Sequence, residues 1–290
     1  MKIPAKVALL AASLFLTACT PGSNGQRNTD QPAFDQAMAA DWQEVFNDPG
    51  SGDWRERWFL DGEVGSVKNT SKGMELTSGT EARNDAHHMV LWTKAAFEGD
   101  VRIEYDFTRL DSSKNGVNIL YIEATGSGVG PYHEDIAAWG ELRRVPAMKL
   151  YFNHMNTYHV SYSVGFPGNE YMRARRYLPE GKGLEGTEIA PDYGPSDLFQ
   201  PGVPHHMTLV KRGQALFLRV ENPDGTHYFA WRNTQFPPIT AGRVGLRQMF
   251  TKAGRYGDFR IWTAARRDKP SSLAPSSIQP LRNSPNSSRP

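Results

Sequence analysis

The chain has 290 residues and balances 33 basic against 31 acidic side chains, a formal charge of +2. So small a charge sets up no global field, which excludes recruitment of nucleic acid or of an anionic membrane by charge alone. With 27 Gly, 20 Pro and 11 % aromatic residues it suits many short strands joined by turns around an aromatic core, and its single cysteine excludes an internal disulfide.

The first residues read as a targeting segment. Lys2 and Lys6 precede an apolar run, residues 7–16, and Leu16-Thr17-Ala18-Cys19 follows. A basic start, a short apolar stretch and small residues before the cut make a secretory signal, too short to span a bilayer stably. The Leu-x-Ala-Cys ending resembles a bacterial lipobox, which implies cleavage before Cys19 and lipid attachment to its thiol; that also excludes a cysteine nucleophile. Thr20 rather than Asp after the cysteine points to the outer membrane. The expected organisation is a signal peptide over 1–18, a flexible tether over 19–40, a folded domain over 41–266 and a Ser/Pro-rich disordered tail over 267–290.

Within the domain the pattern is β. Val101, Ile103, Tyr105 and Phe107 alternate with Arg102, Glu104, Asp106 and Thr108, the period-two signature of a half-buried strand. Strands are predicted over 116–123, 147–152 and 157–164, then over 206–211 and 215–221 as a hairpin. Asn222-Pro223-Asp224-Gly225 is a turn before a strand over 226–231, and strands over 243–250 and 256–263 close the series. Short helical turns are predicted near 35–41 and 134–139. Two long loops, 124–145 and 179–204, are of the kind that form walls or lids. Many short strands at regular spacing predict an all-β sandwich.

Several segments then line up with a known family. Phe97-Glu98-Gly99-Asp100 leads into Tyr105-Asp106-Phe107; His159-Val160-Ser161-Tyr162 follows; the chain closes with Gly242-Arg243-Val244-Gly245-Leu246-Arg247-Gln248-Met249 and Asp258-Phe259-Arg260. This order resembles the YesU-like family, a domain of unknown function with the concanavalin A-like lectin/glucanase jelly roll. The resemblance implies two curved antiparallel sheets, a sugar-binding concave face and association with the breakdown of polysaccharide, including uronate-rich glycans.

The richest stretch for chemistry is 151–177, with two His, three Asn, three Arg and five Tyr. His159 and Ser161 fall on one strand face; Asn156, Tyr158 and Tyr162 fall on the other, so an unbroken strand cannot present His159 and Tyr162 together. Uronate β-elimination needs groups of these kinds: a guanidinium or amide to neutralise the carboxylate, and a His or Tyr to take the C5 proton. The expected catalytic residues are His159 and Tyr162, and the expected substrate-binding residues are Asn156, Arg173, Arg247, Gln248, Asp106 and Trp139. Trp139 is chosen because it lies in a long loop where it can stack on a sugar ring. Glu104 and Asp106 share a strand face and resemble part of a retaining-glucanase pattern, but Arg109 stands where that pattern requires Glu. Asp85-Ala86-His87-His88 places adjacent His residues on opposite faces, which is poor for shared metal ligation, and no acidic loop has the oxygen density of a calcium site. No cofactor or metal is expected. The expected partner is an acidic glycan, cleaved by elimination; binding without turnover and hydrolysis through Asp106 are the alternatives.

Overall fold

The computed structural model describes residues 29–165, 170–179, 183–194 and 197–264. Cys19, the leader and the 267–290 tail lie outside the described residues.

Two antiparallel sheets form a sandwich. The first contains β1 (Trp42–Asp48), β3 (Ser66–Thr70), β4 (Gly73–Thr77), β6 (Asp100–Arg109), β11 (Pro204–Arg212), β12 (Ala215–Asn222), β13 (Gly225–Arg232) and β15 (Ala253–Ala264). Its order is β13-β12-β11-β6-β15-β4-β3, with β1 also paired to β15. The second contains β2 (Trp58–Asp61), β5 (Met89–Glu98), β7 (Asn118–Gly126), β8 (Met155–Tyr162), β9 (Met172–Tyr177), β10 (Glu188–Tyr193) and β14 (Ala241–Gln248), in the order β10-β9-β8-β7-β14-β5-β2. The predicted all-β jelly roll is the fold observed.

The sequence pattern explains which faces meet. On β6 the alternating Val101, Ile103, Tyr105 and Phe107 are all fully buried and join Leu120, Val160, Tyr162, Leu246 and Phe259 between the sheets. Burying each such side chain contributes about 1.5–3 kcal/mol, so this layer is the main source of stability. Gly213, at φ +55, makes the tight β11–β12 hairpin, with Arg212 opposite Ala215. The Asn222 side chain accepts hydrogen bonds from the backbone N–H of Asp224 and Gly225 at 3.0 and 3.1 Å, closing the predicted turn before β13.

Three features differ from the sequence expectation. Of residues 147–152, expected as a strand, 148–152 belong to helix α2 (Met148–His154) and Ala147 is its N-cap, because a short, mostly apolar run has no period of its own and tertiary packing of Tyr151 decides it. Helix α1 (Gln31–Met38) occupies part of the expected tether and packs Phe34 and Ala37 on Val210, Phe217 and Tyr228 of the first sheet. Strands β1–β5, β9 and β10 lie outside the expected set. β5 is buried on both faces over Met89–Thr93, so it shows no alternation to read.

The second sheet has a further covered face. Residues 127–154, between β7 and β8, leave the sheet, form a 3₁₀ segment (Ile136–Arg143) and α2, and fold back across it. Ile136, Trp139 and Tyr151 from this excursion pack on Val90, Trp92, Ile119, Tyr121 and Tyr177, a second core with the sheet on one side only. Asp135 caps the 3₁₀ segment by accepting from the Ala137 N–H at 2.9 Å. Arg143 donates to the Trp139 and Ile136 carbonyls at 3.2 and 2.9 Å.

Candidate functional site

Strand register decides what the covered face presents. His159 on β8 sits between its cross-strand partners Tyr121 on β7 and Arg175 on β9. One row over, Arg247 on β14 stands opposite Ile119 on β7 and Val90 on β5. His159 Nδ1 and the Tyr177 hydroxyl are 2.5 Å apart. The rings of Trp92 and Tyr121 stack with centroids 5.3 Å apart, and those of Tyr121 and Tyr151 at 5.9 Å. Gly245 makes room for this stack, since a Cβ there would meet the Trp92 ring at 2.4 Å.

Arg247 is the unusual member. It is 0 % exposed, and among the described residues no carboxylate pairs with it. Its Nη2 donates to the Pro146 carbonyl at 2.5 Å and meets His88 Nδ1 at 2.6 Å, both neutral partners. The guanidinium lies over the Tyr151 ring at 4.5 Å. Its Nε and Nη1 have no hydrogen-bond partner, and neither do His159 Nε2 or the Tyr121 hydroxyl. An ionised group taken out of water without a counter-charge costs several kcal/mol even after relaxation.

Burial sets the protonation states. It pushes His159 well below the usual histidine range, helped by the charges of Arg175, Arg247 and Arg173, so the ring is neutral at pH 7. It pushes Tyr177 and Tyr151 well above the usual tyrosine range and raises Tyr121 as well, against the pull of Arg247, so all keep their protons.

A separate hub fastens the excursion over this face. One oxygen of the buried Asp61 carboxylate accepts from Trp92 Nε1 at 2.8 Å, Arg143 Nε at 2.5 Å and the Tyr151 hydroxyl at 2.9 Å. Two of these donors belong to the excursion and one to the sheet.

The structure divides the residues expected from sequence. His159 and Arg247 share the covered face. Arg173 lies on the same face of β9 near the sheet edge, with Nε on Asp192 at 2.8 Å and the guanidinium 4.5 Å over the Tyr171 ring. Trp139 belongs to the excursion but is buried, its Nε1 on the His133 carbonyl at 2.9 Å and Arg143 stacked 4.1 Å over its ring, so it offers no open platform to a sugar. Tyr162 and Gln248 point the other way, into the layer between the sheets. The Tyr162 and Gln248 side chains meet the Tyr256 hydroxyl at 3.1 and 2.8 Å, and Gln248 accepts from Asn118 at 2.7 Å. Period-two alternation puts them there, and neither shares a surface with His159. Asn156, half-buried at the start of β8, reaches Thr125 at 3.4 Å. Asp106 is exposed on the outer face of the first sheet, 2.8 Å from His206.

Sequence reasoning missed Tyr121, Tyr151, Tyr177, Asp61 and Arg143. Tyr177 alone was within reach, because Arg173, Arg175 and Tyr177 alternate on one strand face beside His159. Among the described residues no His, Cys, Asp and Glu cluster could hold a metal ion.

The fold is a lectin-like jelly roll. The chain belongs to the family described as Domain of unknown function (DUF1961), whose sequence profile matches residues 47–261. A Bacillus subtilis protein of unknown function with a galectin-like fold superposes with a TM-score of 0.57 at 20 % identity, over 78 % of this chain and 100 % of that one. The lectin UEA-II complexed with galactose superposes at 0.50 and 9 % identity, over 78 % and 100 % of the two chains. The carbohydrate-binding module CBM66 of Bacillus subtilis aligns at 0.41 and 12 % identity, over 70 % and 92 %. No curated protein matches the chain.

Proposed function

We propose that the protein binds an acidic glycan on the covered face of the second sheet and cleaves it by β-elimination. The observation that carries this reading is Arg247: a buried guanidinium with two unpartnered nitrogens and no described carboxylate beside it. A uronate carboxylate supplies the missing charge through charge-assisted hydrogen bonds. The glycan class is also supported by the fold neighbour seen with galactose.

The chemistry assigned to the set is as follows. Arg247 neutralises the carboxylate and thereby acidifies the adjacent C5–H. Neutral His159, with Nδ1–H donated to the Tyr177 oxygen, uses the lone pair on Nε2 to take that proton. The C4–O bond breaks as the C4–C5 double bond forms, and the electron pair stays on the leaving oxygen. Tyr121, the direct cross-strand partner of His159, gives that oxygen its hydroxyl proton, and the proton on His159 then restores Tyr121. With His159 held well below the usual histidine range, the acid limb of the rate profile falls well below pH 6.5. Because His159 is 4 % exposed and Tyr121, Tyr177 and Arg247 are fully buried, the excursion over 127–154 moves to admit a chain.

Purified protein mixed with polygalacturonate, alginate and neutral glycans is expected to generate unsaturated product absorbing near 235 nm from a uronate polymer. His159→Ala is expected to lower that rate by roughly 10²–10⁴-fold, the usual span for loss of a general base, without unfolding the domain. Full activity in the variant removes His159 from the mechanism. The burial of the whole set favours a second reading, capture without turnover, and tight binding with neither new absorbance nor new reducing ends would select it.

We infer further that this is a YesU-like member of its family, carried on a lipid-anchored envelope protein through Cys19. Cys19→Ser is expected to move the protein from the membrane fraction to the soluble one; unchanged fractionation refutes lipidation.

A further inference from the structure

His88 belongs to a motif that the proposed chemistry leaves unused. It immediately precedes β5 and is 1 % exposed, with its ring stacked on Phe250 at a centroid distance of 5.2 Å. Its Nδ1 lies 2.6 Å from Arg247 Nη2, 3.4 Å from the Pro146 carbonyl and 3.9 Å from the exposed Asp85 carboxylate. A guanidinium nitrogen only donates, so the short contact requires a lone pair on Nδ1 and therefore a proton on Nε2. Burial and the Arg247 charge hold the ring neutral, with a pKa lowered to about 3. That Nε2–H is buried and has no partner.

With the Nη2 hydrogens directed to Pro146 and His88, the guanidinium is fixed in plane, and only Nε and Nη1 are left to bond a ligand. The unpartnered atoms of this pair are all donors, Arg247 Nε–H and Nη1–H and His88 Nε2–H, while the nearby Tyr121 hydroxyl can donate or accept. A set of donors with one positive charge selects an anion and rejects a cation or a hydroxyl that must itself donate.

Resting on the reading that the face binds a uronate, we propose that His88 is the positioning residue of the carboxylate site: it orients Arg247 through Nδ1 and adds Nε2–H as a second donor to the bound anion. His88 thereby sets the preference for an ionised sugar over a neutral one.

Two measurements on the folded protein test this. Imidazole nitrogen NMR of the wild type at about pH 6 is expected to show His88 neutral with its proton on Nε2, and that signal is expected to shift on saturation with a uronate tetramer. A proton on Nδ1, or no shift at saturation, overturns the proposal. Calorimetric titration with galacturonate, mannuronate and glucuronate tetramers is the second. His88→Leu is expected to bind the preferred tetramer at least about tenfold more weakly, while His88→Gln, which keeps an acceptor and a donor at similar reach, stays within about threefold of wild type. Unchanged binding by His88→Leu, or equal weakening in both variants, overturns the proposal while the functional reading stands. A wild type that binds no tetramer sinks that reading and this inference together. If a variant fails to fold, the NMR result on the wild type decides.

Discussion

Arg247→Met is expected to weaken uronate binding by roughly a hundredfold or more while leaving the unliganded protein at least as stable as before. Each hydrogen bond to a charged group contributes about 1.5–3 kcal/mol, and two donors on Arg247 are reserved for the ligand, so losing both reaches that range. The stability half of the result comes from the same geometry. In the unliganded state the guanidinium meets only a carbonyl, a neutral imidazole and the Tyr151 ring, so its desolvation is poorly offset. Methionine keeps the apolar length and removes that cost. Lysine does not restore binding, because one ammonium cannot reproduce the planar donor set. Urea unfolding beside calorimetric titration checks both halves. A variant that binds normally, or one that loses several kcal/mol of stability, would make Arg247 a structural strut and nothing more.

Asp61→Ala is expected to do the reverse and cost the fold heavily. Its carboxylate is the buried partner of Arg143, itself fully buried, and also accepts hydrogen bonds from Trp92 Nε1 and the Tyr151 hydroxyl. Breaking a buried ion pair from one side costs about 3–5 kcal/mol, because it leaves a lone charge in a low-dielectric layer. The excursion is what Arg143 and Tyr151 attach, so hydrogen exchange is expected to rise first across 127–154 and only later in β6 and β15. Adding Arg143→Met to Asp61→Ala is expected to restore most of the lost stability, since the stranded charge goes with it. Uniform exchange throughout the domain would show that Asp61 supports the whole sandwich and does not fasten the excursion in particular.

These two residues have opposite accounts because one cation has its counter-charge inside the protein and the other has none among the described residues. Arg143 is 2.5 Å from Asp61. Arg247 lies over Tyr151, whose hydroxyl is bound to that same Asp61, yet it receives no carboxylate of its own. The excursion therefore joins a satisfied latch to an unsatisfied site. A ligand anion on Nε and Nη1 of Arg247 leaves the Nη2 contact with the Pro146 carbonyl, which is part of the cover, in place.

The sandwich itself was legible in the sequence. β6 alternates without a break, and the Gly213 and Asn222–Gly225 turns name their strands, because period and turn chemistry are local properties. The separation of His159 from Tyr162 was legible for the same reason. What brings His159 near Arg247 was not. It depends on the strand order β8-β7-β14, fixed by packing between segments far apart in the chain. The Asp61–Arg143 pair spans 82 positions and leaves no periodic trace. Helix α2 was misread because the short, mostly apolar segment 147–152 fits a buried strand as well as a helix until Tyr151 is seen against Trp92. Trp139 looked like a platform for a sugar ring because its loop is long, yet the loop folds that ring inward beneath Arg143.

The claim that a carboxylate completes Arg247 is tested most directly by titrating the protein with a uronate oligosaccharide and with its methyl ester, which keeps the sugar ring, removes the charge and adds one methyl group. The ester is expected to bind at least about tenfold more weakly to wild-type protein, the equivalent of about 1.4 kcal/mol, and Arg247→Met is expected to bind acid and ester alike. Equal affinity of wild type for the two, or an undiminished preference for the acid in Arg247→Met, would contradict it.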